Sequence, residues 1–405
     1  MSLSKHELKS TLVVSLIFSL RLMGLFILLP IFSIYASEYN NSSAFLAGIA
    51  IGSYSLSQAA MQVPMGYLSD KFGRKKIVLF GLLLFIVGSG LCFYADDIIF
   101  LIIGRIVQGL GAISSVGVAT LSENTSERNR ASAFTIMGIT VGITFVIGFI
   151  AGPFFTTIYS FKSLFILLFF FGIVASIITF LYYPEDKNKL EQNFLIKISY
   201  NHKLIQIYLG SFFLSLVLSI MLYIYPLIWK NLGADSDELF IVYLKIFLPS
   251  AFLIYPSVRF FEKINKVSVI IRFGWLFLMF GYLAYCLMPE NIYSLYILGI
   301  LFFLGISVFN SILPSLLSLN VSSELRATGN GPFYIMNFMG HAIGAILAGA
   351  IYMKESYYGL DKNIILSIIS ILIIIIWIKT GLPKYNIKKW FYLNAQLFLP
   401  WEGES

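Results

Sequence analysis

Charge is what this sequence has least of. Asp, Glu, Lys and Arg make up 12% of its 405 residues, where a soluble protein carries about a quarter. The apolar residues, 58% of the chain, fall in long unbroken runs that no water-soluble core absorbs. The net charge of +8 does not point to nucleic acid, because the basic residues do not gather on one polar face. Cysteine is scarce too: Cys92 and Cys286 both lie inside apolar runs, so neither a disulfide framework nor a metal site is expected. No Walker-type phosphate loop is present, which argues against an ATP-driven pump. No Asp or Glu falls deep in an apolar run, and no His-plus-acid spacing suggests a metal. An intramembrane enzyme would need a nucleophile, a metal cluster or a carboxylate pair, so the chain is read as a non-enzyme without cofactor.

What the sequence does hold is twelve apolar runs, each near the roughly 20 residues that a bilayer span requires. They cover 11–35, 44–69, 76–95, 97–121, 131–157, 162–183, 204–230, 239–258, 268–288, 291–318, 327–353 and 363–382. The first run exceeds the roughly 7–15 apolar residues of a cleaved signal peptide and contains Arg21, so it is read as a retained span. The expected fold is an all-α membrane protein of twelve transmembrane helices in two pseudo-symmetric six-helix bundles. The expected division is 1–183 for the first bundle, 184–203 for a cytoplasmic linker, 204–382 for the second bundle and 383–405 for a cytoplasmic tail.

Lys and Arg set the orientation. With the N-terminus inside, 21 fall in inside segments and 4 in outside loops, namely Lys162, Lys230, Lys354 and Lys362. Three lie within spans: Arg21, Arg105 and Lys245. This asymmetry predicts that both termini are cytoplasmic. An internal repeat supports six plus six. Pro64, Gly66, Asp70, Lys71 and Arg74 align at a constant offset with Pro256, Val258, Glu262, Lys263 and Lys266. Arg130-Ala131 similarly aligns with Arg326-Ala327, Gly148 with Gly344 and Pro153 with Gly349.

The segment GYLSDKFGRKK, Gly66 to Lys76, interrupts two apolar runs with charge. It is expected to be an aqueous hairpin, with Gly66 and Gly73 suited to a tight turn. It resembles the cytoplasmic hairpin signature of the major facilitator superfamily. RIVQGLG (Arg105, Gln108, Gly109, Gly111) resembles that superfamily's second motif. Gly142, Gly148, Gly152 and Pro153 resemble the span-five motif of its drug:proton antiporter branch, although Phe154-Phe155 stand where two glycines are usual. FSLRLMGLFILLP and SERNRASAF resemble the YajR group of bacterial exporters. The tail from Pro383 is too short for the soluble C-terminal domain that some of that group carry.

The resemblance implies that Asp70 holds the cytoplasmic start of span eleven through its N-terminal amides. It also implies that Arg74 pairs with Glu123, closing an inward gate beside Gly66, Gly73 and Lys75. The bland alternative is a solvated turn. An ionisable group in hydrocarbon is a functional candidate. Arg21 is either an anion contact in a central cavity or a fixed interhelical tie. The resemblance gives Arg105, with Gln108, a coupling or gating role, against a hydrogen-bond clamp. Lys245 either snorkels to the interface or meets an anionic substrate in the cavity. His341, with Asn337 one turn before, is either a proton carrier or a packing histidine. The glycines at 138, 142, 148 and 152 let helices approach closely. Tyr54, Phe134 and Phe145 are candidate cavity aromatics.

The function expected is a secondary transporter working by alternating access, with proton-coupled efflux of a small organic, preferably anionic, solute or drug. The alternatives are a uniporter or importer of an organic anion, or a non-transporting receptor on the same fold. Its expected partners are a small-molecule substrate, protons and the lipid bilayer. A monomer in a bacterial cytoplasmic membrane is expected.

Overall fold

The computed structural model describes residues 3–126, 129–184, 201–233, 238–250, 267–289, 291–321, 326–354, 356–357 and 360–383. Its helices are α1 (Lys5–Phe26), α2 (Phe32–Ala36), α3 (Ala44–Phe72), α4 (Arg74–Tyr94), α5 (Ile98–Leu110), α6 (Ser114–Asn124) and α7 (Arg130–Ile158). They continue as α8 (Phe161–Tyr182), α9 (His202–Asn231), α10 (238–250), α11 (Val267–Leu287), α12 (Ile292–Asn320), α13 (Arg326–Tyr352) and α14 (Lys362–Thr380). Eleven segments are long and apolar enough to cross a bilayer, with α5 and α6 taken together. The aligned residues Pro256 to Lys266 and the rest of the eighth span, 251–258, lie outside the described residues. So do most of the linker and nearly all of the tail.

Helix starts follow local hydrogen-bond chemistry. Ser4 and Glu7 form a reciprocal capping box on α1. Ser43, Asp97, Asn201, Asn291 and Asp361 accept from first-turn amides of α3, α5, α9, α12 and α14, satisfying donors that have no partner inside the helix. The helices are apolar on both their inner and outer sides. Leu83, Ile143 and Phe180, for example, are exposed, as expected where the surrounding solvent is lipid.

Three expectations change. The Gly66 hairpin is mostly helix: α3 runs to Phe72 and α4 begins at Arg74. Only Gly73 lies between them, at φ 98°, so it is the one glycine whose freedom the turn needs. Gly66 is an ordinary helical residue facing Ser115, because a helix can project polar turns beyond the hydrocarbon. The first span is not continuous, since α1 stops at Phe26 and α2 starts at Phe32. Pro30 has no amide to donate to the Phe26 carbonyl, so the helical ladder cannot run through it. The fourth span breaks between Leu110 and Ser114, where a Cβ on Gly111 would lie 2.2 Å from the Gly81 carbonyl oxygen. Between α13 and α14, Ser356–Tyr357 pairs antiparallel with Leu360–Asp361, a two-residue ladder that leaves the all-α class unchanged.

The first six spans and the last six meet along two seams. In one, α3 crosses α13 with little between the backbones. A Cβ on Gly48 would sit 2.6 Å from Ala345 O, and one on Gly349 2.5 Å from Ala44 O. In the other, Phe145 and Phe149 of α7 pack edge-on against Phe247 of α10 and Phe303 of α12, with centroids 5.5–6.4 Å apart. Tyr223 donates to Ala44 O (2.7 Å) and Tyr243 to Pro30 O (2.9 Å). Lys230 pairs with Glu38 at 3.4 Å. Tyr223, Tyr243 and the Lys230–Glu38 pair fasten the halves near the face opposite the Gly73 turn. Toward the Gly73 face, here called the basic face, α7 meets few partners among the described residues. Gly138 and Gly142 are exposed, and a Cβ on either would meet nothing within 4 Å.

Candidate functional site

On the basic face, Arg74 at the start of α4 forms a clasp. Its Nε donates to both Glu123 oxygens at 3.1 Å and its Nη2 bonds Glu123 as well. Nη1 donates to Ser69 Oγ (2.8 Å), and Nη2 pairs with Asp70 at 2.8 Å. The Arg74 side chain is 12% exposed and that of Glu123 23%, so the side-on pairing is partly sheltered and strengthened accordingly. The expected contact of Asp70 with the start of span eleven involves 322–325, outside the described residues. Lys75 reaches over the Phe180 ring, 5.3 Å from its centroid.

A second tie lies beside this clasp. Glu7 Oε1 accepts the Ser126 amide (2.8 Å), and Oε2 accepts Asn129 Nδ2 (2.9 Å) and the Ser4 amide (2.9 Å). Glu7 thus holds the start of α1 to the connection between α6 and α7. Sequence reading passed over it as a residue before the first span. The Ser4-x-x-Glu7 capping pattern was the available signal.

Inside the first half, Arg105 is 1% exposed. Its Nη1 donates to Gln108 Oε1, and Gln108 Nε2 donates to Ser89 Oγ (2.9 Å). Its guanidinium lies 4.3 Å from the Tyr54 ring centroid and 5.4 Å from that of Phe32. It therefore ties α5 to α2, α3 and α4, as a clamp does. Gly109 serves the same seam, since a Cβ there would lie 2.0 Å from Ser57 Oγ. Tyr54 is fully enclosed in this conformer.

Arg21 is also 1% exposed, but its Nε and Nη2 lack hydrogen-bond partners among the described residues. Gln58, fully buried on α3, has neither amide atom partnered. A neutral amide in a span carries no charge to flag it, so sequence reading missed Gln58. The tyrosine latches Tyr223 and Tyr243 were missed for the same reason.

In the second half, His341 is 6% exposed and its Nδ1 has no partner, while its backbone oxygen accepts Ser219 Oγ (2.7 Å). Asn337 donates to Ser215 Oγ (2.6 Å). The Asn337 side chain and the His341 backbone thus sit where α13 meets α9. Lys245 is a correction. It is exposed with Nζ 5.9 Å from the Tyr296 ring centroid, so it lines no enclosed cavity. Its long stem lets the ammonium reach polar surroundings from an apolar helix.

The span-five motif divides. A Cβ on Gly148 would lie 2.8 Å from Phe26 Cβ, and one on Gly152 2.0 Å from Ile27 O. Both pack α7 against the break after α1, and Pro153 stays within the helix. Gly142, expected at a helix contact, instead faces open space.

Residues 14–195 and 207–390 match the profile of the Major Facilitator Superfamily. An uncharacterized transporter of Buchnera aphidicola subsp. Acyrthosiphon pisum (strain APS) is 33% identical over 346 residues, 84% of this chain and 89% of that one. The inner membrane transport protein YajR of Escherichia coli (strain K12) is 29% identical over 350 residues, 85% of this chain and 77% of that one. The crystal structure of nucleoside transporter NupG shares the fold, with a TM-score of 0.68 at 14% identity over 94% of this chain and all of that one. Two successive profile matches covering most of the chain, on a helical membrane fold whose first half carries the Asp70–Arg74–Glu123 clasp, show that this chain belongs to the major facilitator superfamily.

Proposed function

We propose that this transporter works by alternating access and exports a small organic solute in exchange for protons. One observation carries the reading. The halves are fastened at the face opposite the Gly73 turn by Tyr223, Tyr243 and the aromatic packing of Phe145 and Phe149, while toward the basic face Gly138 and Gly142 of α7 meet no neighbour among the described residues. Such a conformer has one gate shut. The shut gate is built from neutral hydrogen bonds, ring contacts and the exposed Lys230–Glu38 pair, none worth more than about 1.5 kcal/mol, so a rocking motion can exchange them. The Arg74–Glu123 clasp lies within the first half and holds the ends of α3, α4 and α6 together. The excess of basic residues places that face in the cytoplasm. This conformer then opens inward, with both termini inside a bacterial cytoplasmic membrane and a monomer as the working unit.

His341 is the interior group suited to carry a proton, with Glu123 and Asp70 as alternatives at the basic face. Everted membrane vesicles test the coupling. The expected result is solute accumulation that stops when the pH gradient is collapsed at constant membrane potential. Accumulation that ignores the collapse rejects proton exchange. It would favour the second reading, uniport or anion exchange, which the lack of a carboxylate deep within any described span supports.

A further inference from the structure

The interior of the first half encloses a cation without a counter-charge. The two unpartnered nitrogens of Arg21, Nε and Nη2, share one edge of the guanidinium. That edge receives a carboxylate side-on, through two parallel N–H···O bonds. The same protein shows the edge in use, because Arg74 grips Glu123 with its own Nε and Nη2. No described acid serves Arg21 in this way. Glu7 is the only buried Asp or Glu among the described residues, and its oxygens are taken by Ser4, Ser126 and Asn129.

The surroundings point the same way. Tyr54 lies within electrostatic reach of Arg21, and its hydroxyl has no partner. Gln58 lies one turn further along the same face of α3, with its amide nitrogen and oxygen both unpartnered. Buried polar atoms normally find partners. Water satisfies hydroxyls and amides, but it does not neutralise a guanidinium. Arg105 is not an equivalent site, because Gln108 and two aromatic rings already engage it.

We propose that Arg21, Tyr54 and Gln58 form an anion subsite that takes the carboxylate of a small organic acid. The proposal rests on the transporter reading and gives it a substrate class. Arg21 supplies the fork, while the Tyr54 hydroxyl and the Gln58 amide donate to whichever oxygen lone pairs the fork leaves. The site is closed to solvent in this conformer, so loading requires the helices around α1 to move.

The test uses the full chain purified in detergent, with thermal unfolding followed against sodium benzoate, its neutral analogue benzamide, and benzenesulfonate. The expected result is a saturable rise in Tm with benzoate below about 10 mM, and none with benzamide or with sodium chloride at equal ionic strength. Arg21→Lys keeps the charge but loses the fork, and weakens benzoate binding by about tenfold or more. Gln58→Glu supplies the missing carboxylate from within, raises Tm and abolishes the benzoate response, which keeps the test decisive if Arg21→Lys does not fold. Equal responses to benzoate and benzamide overturn the proposal, as does unaltered binding by Arg21→Lys or no benzoate response. Benzenesulfonate binding as well as benzoate overturns the carboxylate assignment. Saturable benzoate binding without benzoate flux in proteoliposomes sinks the transport reading and leaves the subsite standing. Flux of neutral solutes without benzoate binding does the reverse.

Discussion

Glu7 and Glu38 carry the same carboxylate into different surroundings, and their substitutions should differ accordingly. Glu7 is buried and accepts from Ser126, Asn129 and Ser4. Removing it strands those donors, so Glu7→Ala is expected to cost about 1–3 kcal/mol. Glu38 holds Lys230 at 3.4 Å with both side chains about half exposed, and Glu38→Ala should cost under about 1 kcal/mol. Denaturant unfolding in detergent checks the pair, and equal losses would count against the Glu7 tie. At this scale the sequence revealed charge better than polarity. Arg21 and Arg105 had to face inward because a fixed cation cannot rest in lipid. Lys245 was ambiguous because its flexible stem solves the same problem from outside. Gln58 was invisible, since a neutral amide in a span raises no alarm until its missing partners can be seen.

Helix α7 is where single elements can be tested. Gly152 abuts the Ile27 carbonyl, whereas Gly142 faces open space. Gly152→Ala is therefore expected to overpack the α1–α7 contact, costing about 1–3 kcal/mol. Gly142→Ala should be neutral or stabilising by up to about 1 kcal/mol, since alanine favours helix. Thermal unfolding separates them, and a larger loss for Gly142→Ala would contradict the packing described. Eleven of the twelve expected spans are found among the described residues, and they were legible because hydrocarbon thickness dictates their length. Their breaks were not. Pro64, Pro153, Pro226 and Pro314 all stay within helices, while α1 ends before Pro30 is reached. Whether a proline breaks a helix depends on what neighbouring segments do with the freed carbonyl, and that is decided between elements, not within one.

The halves as a whole are poised by the closed face. Tyr243→Phe removes the bond to Pro30 O while keeping the ring, which should shift the balance between the two gate states by about 1 kcal/mol, roughly fivefold. Reactivity of a cysteine placed at Phe145 toward a membrane-impermeant thiol reagent, applied from the closed face, measures this. Reactivity should rise in the Tyr243→Phe background. An unchanged rate means that the tyrosine does not hold the gate. The two-half plan could be read from the repeat and the hairpin motif, but the conformer could not, because the contacts that set it, such as Tyr243 to Pro30 O, join segments far apart in the chain.

The meeting of α3 and α13 has a mechanical consequence. At Gly48 and Gly349 two rods touch through bare main chain, so there are no interdigitated teeth to disengage when one turns on the other. Friction at such a bearing is low and its axis is fixed. Any methyl added at Gly349 would act as a wedge, stalling the swing without touching cargo or proton.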